Sequence, residues 1–333
     1  MTAHFIDPDD FEQKLFTLAT KFFPDSHSGI NICDILSELL EEWNILKSKV
    51  HLLLRDNAAN MALGARLLDI PNLACFIHTL QLVINDAILS QRSVIDMLAK
   101  SRSIVGHFAH SASACQMLSD IQEKLDLPKH KLIQDVPTRW NSTLNMLERV
   151  YEQRQALTSY GADHNIPVMN NYTYTLMSNV IRVLQPFEEL TKMASSDKES
   201  VSSIIPSVET MKSYLKKSGK DHGIQTLKNS LLEAVEKRFS DGGNIPLTHP
   251  SLEKATYLDP RYKLKFLSPS TGEKVRKDLI EELLDGESQV EEEANDISDR
   301  QDNILYIIHT LLHMQNMSLG SYLPLPHLLF HIN

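Results

Sequence analysis

The spacing of the apolar residues changes near residue 90, and this change constrains the fold more than any other feature of the chain. Before it, short β-prone runs alternate with segments of helical period. From about residue 90 to residue 239 a period of 3.6 residues prevails. The first pattern is typical of an α/β domain and the second of a purely helical one. We therefore expect an α/β part at residues 1–89 and a helical part at residues 90–267.

The clearest element of the first part is a nearly continuous apolar run at residues 49–55, which ends in the polar sequence 56–60 (Asp-Asn-Ala-Ala-Asn). A buried parallel strand that stops in a turn before a helix has this pattern. Ligands of α/β folds usually lie at the carboxyl ends of such strands. Further strands are expected at residues 4–6, 14–18 and 73–78, and helices at residues 35–43 and from Leu82 to Ile88.

The second part is divided by residues that break helices. The breaks fall at residues 127–128, 135–137, 164–167 and 218–219, each containing Pro or Gly. They predict five or six helices between residues 90 and 239. A loop is expected at residues 255–262.

Cysteine content and charge limit the classes of protein to which the chain can belong. Three cysteines in 333 residues exclude a disulfide framework and favour a reducing compartment. The N-terminus has no secretory pattern, so export is not expected. Ten acidic residues and one Arg lie between Glu281 and Asp302, which accounts for nearly all of the net charge of −10. The rest of the chain is almost neutral, so nucleic-acid binding is not excluded.

The last thirty-one residues, 303–333, contain no Lys, Arg, Asp or Glu. Four His, three Asn and two Pro interrupt this segment, whereas a membrane-spanning helix needs about 20 consecutive apolar residues. Membrane insertion is therefore not expected. We describe residues 268–333 as an acidic stretch with an uncharged tail, a composition compatible with disorder.

Asp56 is the first candidate for chemistry, because carboxylates on adjacent elements can hold two divalent ions that cleave a phosphodiester. A single carboxylate cannot do so, and an Asp at a strand-to-helix junction is more often a turn or cap residue. Cys75 and His78 form half of a zinc pattern without a second pair, so no metal site is expected. His309 and His313 share a helical face but lack the Glu of a metalloprotease motif.

Arg139 and Trp140 pair a cation with the largest aromatic side chain. Such a pair can bind a phosphate and stack on an unpaired base. In the alternative, Trp140 anchors a helix in the core while Arg139 lies at the surface. The residue types alone leave both interpretations open.

Seven segments in this order resemble the hAT superfamily of DNA transposases, and in particular the domesticated zinc finger BED-type proteins. They lie between Thr2 and Leu267: residues 2–7 (Thr-Ala-His-Phe-Ile-Asp), 42–45 (Glu-Trp-Asn-Ile), 56–61 (Asp-Asn-Ala-Ala-Asn-Met), 75–82 (Cys-Phe-Ile-His-Thr-Leu-Gln-Leu), 137–143 (Pro-Thr-Arg-Trp-Asn-Ser-Thr), 184–188 (Leu-Gln-Pro-Phe-Glu) and 258–262 (Leu-Asp-Pro-Arg-Tyr). The resemblance implies an RNase H-like fold interrupted by a large helical insertion.

The resemblance also assigns roles to single residues. Asp56 matches the second acid of the Asp-Asp-Glu triad, and Asn57 and Asn60 follow it in the same motif. Cys75 and His78 match the family's C-x-x-H. Arg139 and Trp140 match the Arg-Trp element associated with handling of a DNA hairpin.

Departures from the family pattern point away from catalysis. The strand that carries the first Asp lies upstream of residues 2–7 in the family, and this sequence begins at Met1. No Ser-Glu-Arg motif with the third acid occurs after Phe266, the family's dimerisation segment is not found, and the BED finger is absent. The absent strand lies between the strands of Ala3 and Leu53, so its loss leaves two unpaired edges unless another segment fills the slot.

We therefore expect a partial RNase H-like fold with a helical insertion, in a catalytically incomplete, hAT-derived nuclear protein that associates with nucleic acid or protein. No cofactor is expected. One alternative is a nuclease completed by substitute carboxylates such as Asp7, with Mg²⁺ or Mn²⁺ as its ions. The other is a helical module that binds partner proteins.

Overall fold

The structure of the chain is a computed structural model, and it describes residues 1–7, 12–23, 26–196, 199–217, 223–293 and 328–331. These residues form two compact units. The sheet unit comprises the described residues of segments 1–75, 201–205 and 247–333. The helical unit comprises those of segments 76–200 and 206–246. Twelve α-helices and one five-stranded sheet occur in this described part.

The sheet unit is built on strands in the order β2-β1-β5-β3-β4. β1 is antiparallel to both of its neighbours, and β3 is parallel to both of its own. The strands are β1 (Thr2–Ile6), β2 (Gln13–Thr17), β3 (Val50–Arg55), β4 (Asn72–Ala74) and β5 (Leu328–His331).

The central strand of the sheet comes from the uncharged tail. β5 pairs Leu329 with His4 of β1 on one side and with Leu52 of β3 on the other. The sequence predicted either two open edges or a substitute segment at this place, and the structure contains the substitute. The expectation of disorder at residues 268–333 is wrong for β5 and for helix α12 (Pro269–Glu293). Residues 294–327 lie outside the described part.

Two helices cover one face of the sheet and enclose the core of this unit. Ser28 caps α1 (Gly29–Glu42), because its hydroxyl accepts the backbone N–H of Asn31. α1 packs against α2 (Ala59–Leu67), and a Cβ on Gly64 would lie 2.6 Å from the Ile32 side chain, so the close approach requires glycine there. The buried core comprises Ala3, Ile32, Leu36, Leu40, Val50, Leu53, Ala65, Leu68 and Ile70.

The last part of the sheet unit contains a helix where the sequence predicted a loop. Helix α11 (Pro250–Leu258) contains residues 255–258, and a turn at residues 259–262 follows it, so the predicted loop is wrong for the first half of this segment. In this turn the Asp259 carboxylate accepts hydrogen bonds from Ser202 (2.6 Å) and Arg261 (2.8 Å). Burial raises the pKa of Asp259, but these donors and the Arg261 charge outweigh burial and lower it overall. The Asp-Pro-Arg motif thus has a structural role in this turn.

The helical unit is formed by α3 (Phe76–Leu89), α4 (Arg92–Ala109), α5 (Ala112–Lys124), α6 (Trp140–Glu152), α7 (Arg154–Asp163), α8 (Asn171–Ala194), most of α9 (Ile204–Lys216), and α10 (Gln225–Arg238). Seven of these begin after residue 90, where the sequence predicted five or six. An additional boundary lies at Ser111, whose hydroxyl caps α5 by accepting the Ala114 N–H. No Pro or Gly marks this boundary.

Pro186 lies inside α8, where it cannot donate a backbone hydrogen bond to the carbonyl four residues before it. That carbonyl belongs to Arg182. The Tyr214 hydroxyl donates to it at 3.2 Å and replaces the lost bond. The family motif around Pro186 is therefore accommodated without breaking the helix.

The boundary between the units differs from the predicted one. The expected strand at residues 73–78 ends at Ala74, and α3 begins at Phe76. Buried residues of α3 recur with helical spacing at Phe76, Leu80 and Val83, so this segment joins the helical unit rather than the sheet. The units divide at residues 75/76 and 246/247, whereas the sequence placed the divisions at 89/90 and 267/268.

No helix in the described ranges is long and apolar enough to cross a membrane. Most of the uncharged tail, including His309 and His313, lies outside those ranges.

Candidate functional site

Asp56 lies directly after β3, at the carboxyl end of the parallel pair formed by β3 and β4. Its Oδ1 accepts the backbone N–H of Ala58 at 3.0 Å, which makes it a turn residue immediately before α2. Asn60 also has a structural role, because its side chain donates to the His27 carbonyl at 2.6 Å. The turn interpretation of this motif therefore accounts for the observed contacts of both side chains.

Arg55 and Cys75 complete the same edge of the sheet. The Cys75 N–H donates to the Arg55 carbonyl at 2.6 Å, so the register brings Cys75 beside Asp56 along the backbone. The Arg55 guanidinium donates to Asn72 Oδ1 (2.9 Å) and to the Asp56 carbonyl (3.0 Å). Burial is the main cause that lowers the pKa of Arg55. A half-buried cation, rather than a set of acids, lies next to Asp56.

The C-x-x-H pattern is divided between the two units. Cys75 is the last residue of the first segment of the sheet unit, and His78 lies on α3 with an exposed side chain. Across the described ranges, no three His, Cys, Asp or Glu side chains are grouped so that they could hold a metal ion. The residues present at this edge, Asp56 with Asn57 beside it, do not fit a two-ion site.

In the helical unit, the two residues of the Arg-Trp pair differ in their exposure to solvent. Trp140 is the first residue of α6 and is only 4% exposed, while the adjacent Arg139 is exposed. The backbone N–H of Trp140 donates to Gln81 Oε1 on α3 at 2.9 Å, which fixes the start of α6. Trp140 is thus a core anchor, and Arg139 is the member of the pair that solvent can reach.

The loop before Arg139 is held by a buried carboxylate. Asp135 has a fully buried side chain, and its Oδ2 accepts hydrogen bonds from Nη2 (2.7 Å) and Nε (3.0 Å) of Arg102 on α4. Thr143 of α6 donates to the same carboxylate at 3.0 Å. Burial raises the pKa of Asp135, but the hydrogen bonds from Arg102, Thr143 and Gln134 and the Arg102 charge lower it below its ordinary value. Asp135 therefore stays ionised and joins α4, α6 and the loop.

Three backbone carbonyls of the same loop are also held by side chains of the helical unit. Gln153 donates to Pro128 O (3.0 Å), Gln122 to His130 O (3.0 Å) and Arg149 to Lys131 O (2.6 Å). Gln122 and Gln153 are buried and bonded to each other at 2.9 Å. We call residues 128–139 the basic loop. Its backbone is fixed at both ends, which lowers the entropy cost of presenting its side chains to a ligand.

The basic loop carries more positive than negative charge at its surface. Lys131 and Arg139 are exposed, and within the part of the chain that the structure describes neither forms an ion pair. Lys129 pairs with Glu123 at 3.0 Å. The only carboxylate of the loop, Asp135, is neutralised by Arg102. Two uncompensated cations on a rigid backbone are suited to bind phosphate groups.

The sequence indicated Arg139 and Trp140 but not the contacts that order the loop around them. Arg102 and Asp135 are 33 residues apart, so no local spacing relates them. The sequence used Asp135 only as part of a helix break. The sequence feature that could have indicated its role is its position directly before Val136-Pro137, in a loop that ends in the Arg-Trp motif.

These features define a protein with a small mixed sheet and a helical unit that presents an ordered basic loop. A family model described as the ZBED1 RNase-like helical domain matches residues 73–167, which include α3 to α7 and the basic loop.

The chain is related to zinc finger BED domain proteins and to a transposase. It is 35% identical to human zinc finger BED domain-containing protein 4 over 211 residues, which are 63% of this chain and 18% of that protein. It is 28% identical to human zinc finger BED domain-containing protein 6 over 245 residues, 70% of this chain and 24% of that protein. A putative AC transposase of Zea mays is 25% identical over 287 residues, 79% of this chain and 34% of that protein.

These relatives confirm the resemblance predicted from the seven motifs. The chain is thus similar both to zinc finger BED domain-containing proteins and to a putative transposase. It spans less than a quarter of the length of each of these two BED proteins.

Proposed function

We propose that this protein is a domesticated hAT-derived nuclear protein that binds nucleic acid through the phosphate backbone without cutting it. The observation that carries the proposal is the basic loop, where Arg139 is exposed and the buried Asp135 carboxylate, paired with Arg102, orders the backbone that precedes it. Phosphate contacts of this kind bind many sequences with similar affinity, since they do not read base edges.

We infer that the sheet unit derives from an RNase H-like sheet. Support comes from the position of β5 between β1 and β3, where the resemblance implies the strand that carries the first catalytic Asp. The residues of β5 are Leu-Leu-Phe-His, so the occupant of this slot brings no carboxylate. Asp56 is engaged with the Ala58 N–H in its turn. On these grounds we propose that the two-ion reaction of the transposases does not take place here.

The binding proposal is tested by fluorescence anisotropy of a labelled DNA duplex at several salt concentrations. Arg139→Ala is expected to weaken binding and to lower the slope of log affinity against log salt by about one, because one phosphate contact is lost. Arg92→Ala is the matched control. Arg92 is another Arg of the helical unit, its side chain is 86% exposed, and it lies on α4 outside the loop.

Equal losses of DNA affinity in Arg139→Ala and Arg92→Ala would show that only net charge matters, and would contradict a site at the basic loop.

Trp140→Phe tests whether the Trp140 ring anchors α6 in the core or stacks on a base. Because Trp140 is buried, this variant is expected to keep the affinity of the wild type. A large loss with an unchanged melting temperature would instead assign the ring to base stacking.

A further inference from the structure

β2 is an edge strand whose outer backbone groups are not engaged. The backbone N–H of Asp7 donates to the Glu12 carbonyl, and the backbone N–H of Leu18 donates to the Met1 carbonyl. Backbone groups along a strand point alternately to its two sides, so those of residues 12, 14, 16 and 18 face β1. Gln13, Leu15 and Thr17 consequently direct their N–H and C=O groups outward. No hydrogen bond reaches these six groups within the described ranges.

The edge has few of the features with which soluble proteins protect such strands. β2 contains no Pro, its register with β1 is unbroken, and Lys14 is its only charged residue. Leu15 and Phe16 are 52% and 54% exposed, and as successive strand residues they lie on opposite faces. An exposed edge that is apolar on both faces favours pairing with another strand.

We propose that β2 pairs with β2 of a second copy of this chain, antiparallel about a two-fold axis at Leu15. In this register Leu15 opposes Leu15, and Gln13 opposes Thr17 of the second copy. It is the only antiparallel register that pairs all three outward residues with one another, and it forms six hydrogen bonds between the chains. The two five-stranded sheets join into one of ten strands.

Side-chain pairing supports the same register. On one face Lys14 opposes Phe16 of the second copy, which allows a cation–π contact twice across the axis. On the other face the two Leu15 side chains meet between polar Gln13–Thr17 pairs. Shifting the register so that Lys14 is on the axis would set like charges directly opposite each other, which is unfavourable. Centring it on Phe16 leaves Gln13 outside the three-residue pairing.

The test is sedimentation velocity of the full chain across a range of concentrations. Five paired residues a side make a small interface, so we expect a reversible dimer with a dissociation constant in the range of about 1–100 μM. Leu15→Glu and Leu15→Lys each place two like charges on the axis. Each variant is expected to weaken dimerisation about tenfold or more, and an equimolar mixture of the two is expected to restore it as a heterodimer.

Leu46→Glu is the matched control, since Leu46 is 58% exposed in the sheet unit but lies outside β2. It is expected to dimerise as the wild type does, and all variants are expected to keep the wild-type circular dichroism spectrum and melting temperature because the replaced side chains are exposed. A wild-type chain that remains monomeric up to about 100 μM would overturn the proposal. So would a dimer that persists in both Leu15 variants, or a mixture of the two that fails to restore it.

Discussion

At the residue scale, the helical unit depends on one buried charge. The Asp135 side chain is fully buried, and its charge is compensated by Arg102 and by the Thr143 hydroxyl. Removing one partner of a buried ion pair leaves the other partner without its charge-assisted hydrogen bonds. The resulting loss of folding free energy is larger than the net stabilisation that the intact pair provides. Arg102 keeps 38% of its side-chain surface in water, so part of this cost is screened.

We expect Asp135→Asn to destabilise the protein by about 2–3 kcal/mol at pH 7. Urea unfolding followed by circular dichroism measures this difference. Asp163→Asn, which changes an exposed carboxylate of the same unit, serves as the control and is expected to change stability by less than about 0.5 kcal/mol.

The same variant makes a prediction about pH. The pKa of Asp135 is lower in the folded state than in the unfolded state, where it is about 4. The ionised carboxylate therefore contributes its full stabilising free energy above about pH 4, and this contribution is lost as the pH falls through the lower pKa of the folded state. The difference between wild type and Asp135→Asn should therefore shrink below about pH 4. A difference that stays constant down to pH 2.5 would contradict an ionised Asp135.

At the element scale, the sheet depends on a strand that is far from it in the sequence. β5 is hydrogen-bonded on both sides, to β1 and to β3, and without it the two halves of the sheet would each expose an edge. β5 follows α12 by 34 residues along the chain, and the entropy cost of bringing two distant parts of a chain together grows only slowly with the number of residues between them. A remote segment can therefore serve as the central strand.

Leu329→Pro tests this role. Proline cannot donate to a strand ladder and is not tolerated in a central strand, so we expect a loss of about 3 kcal/mol or more. Hydrogen exchange should then show reduced protection at the amides of β1 and β3 together. Thr17→Pro is the control, measured at a protein concentration below the proposed dimerisation range, because within one chain Thr17 directs its N–H out of the sheet. Full protection of both neighbours in Leu329→Pro would contradict the central position of β5.

Elements with a strong local pattern could be predicted from the sequence. The apolar run that became β3 and the helical spacing of α1 are of this kind. The segment 75–78 was wrongly assigned to a strand, because a short apolar run has the same composition in a strand and at a buried helix start. β5 and the Arg102–Asp135 pair could not be predicted, since each depends on a contact between residues that no local spacing relates.

At the scale of the whole molecule, acidic and basic residues are concentrated in different segments of the chain. Ten acidic residues lie between Glu281 and Asp302, while the basic loop carries exposed cations on a rigid support. Asp56 lies in a turn next to a half-buried Arg55, and β5 adds no acid beside it. We infer a division of roles in which the basic loop binds phosphates and the sheet unit is a structural support.

The most direct test of this account is incubation of the full chain with supercoiled plasmid DNA in the presence of Mg²⁺ or Mn²⁺. Gel retardation and nicking are measured on the same samples, with Asp56→Ala in parallel. We predict retardation that weakens as the salt concentration rises, no open-circular product, and the same behaviour in Asp56→Ala. Metal-dependent nicking by the wild type that disappears in Asp56→Ala would contradict the account.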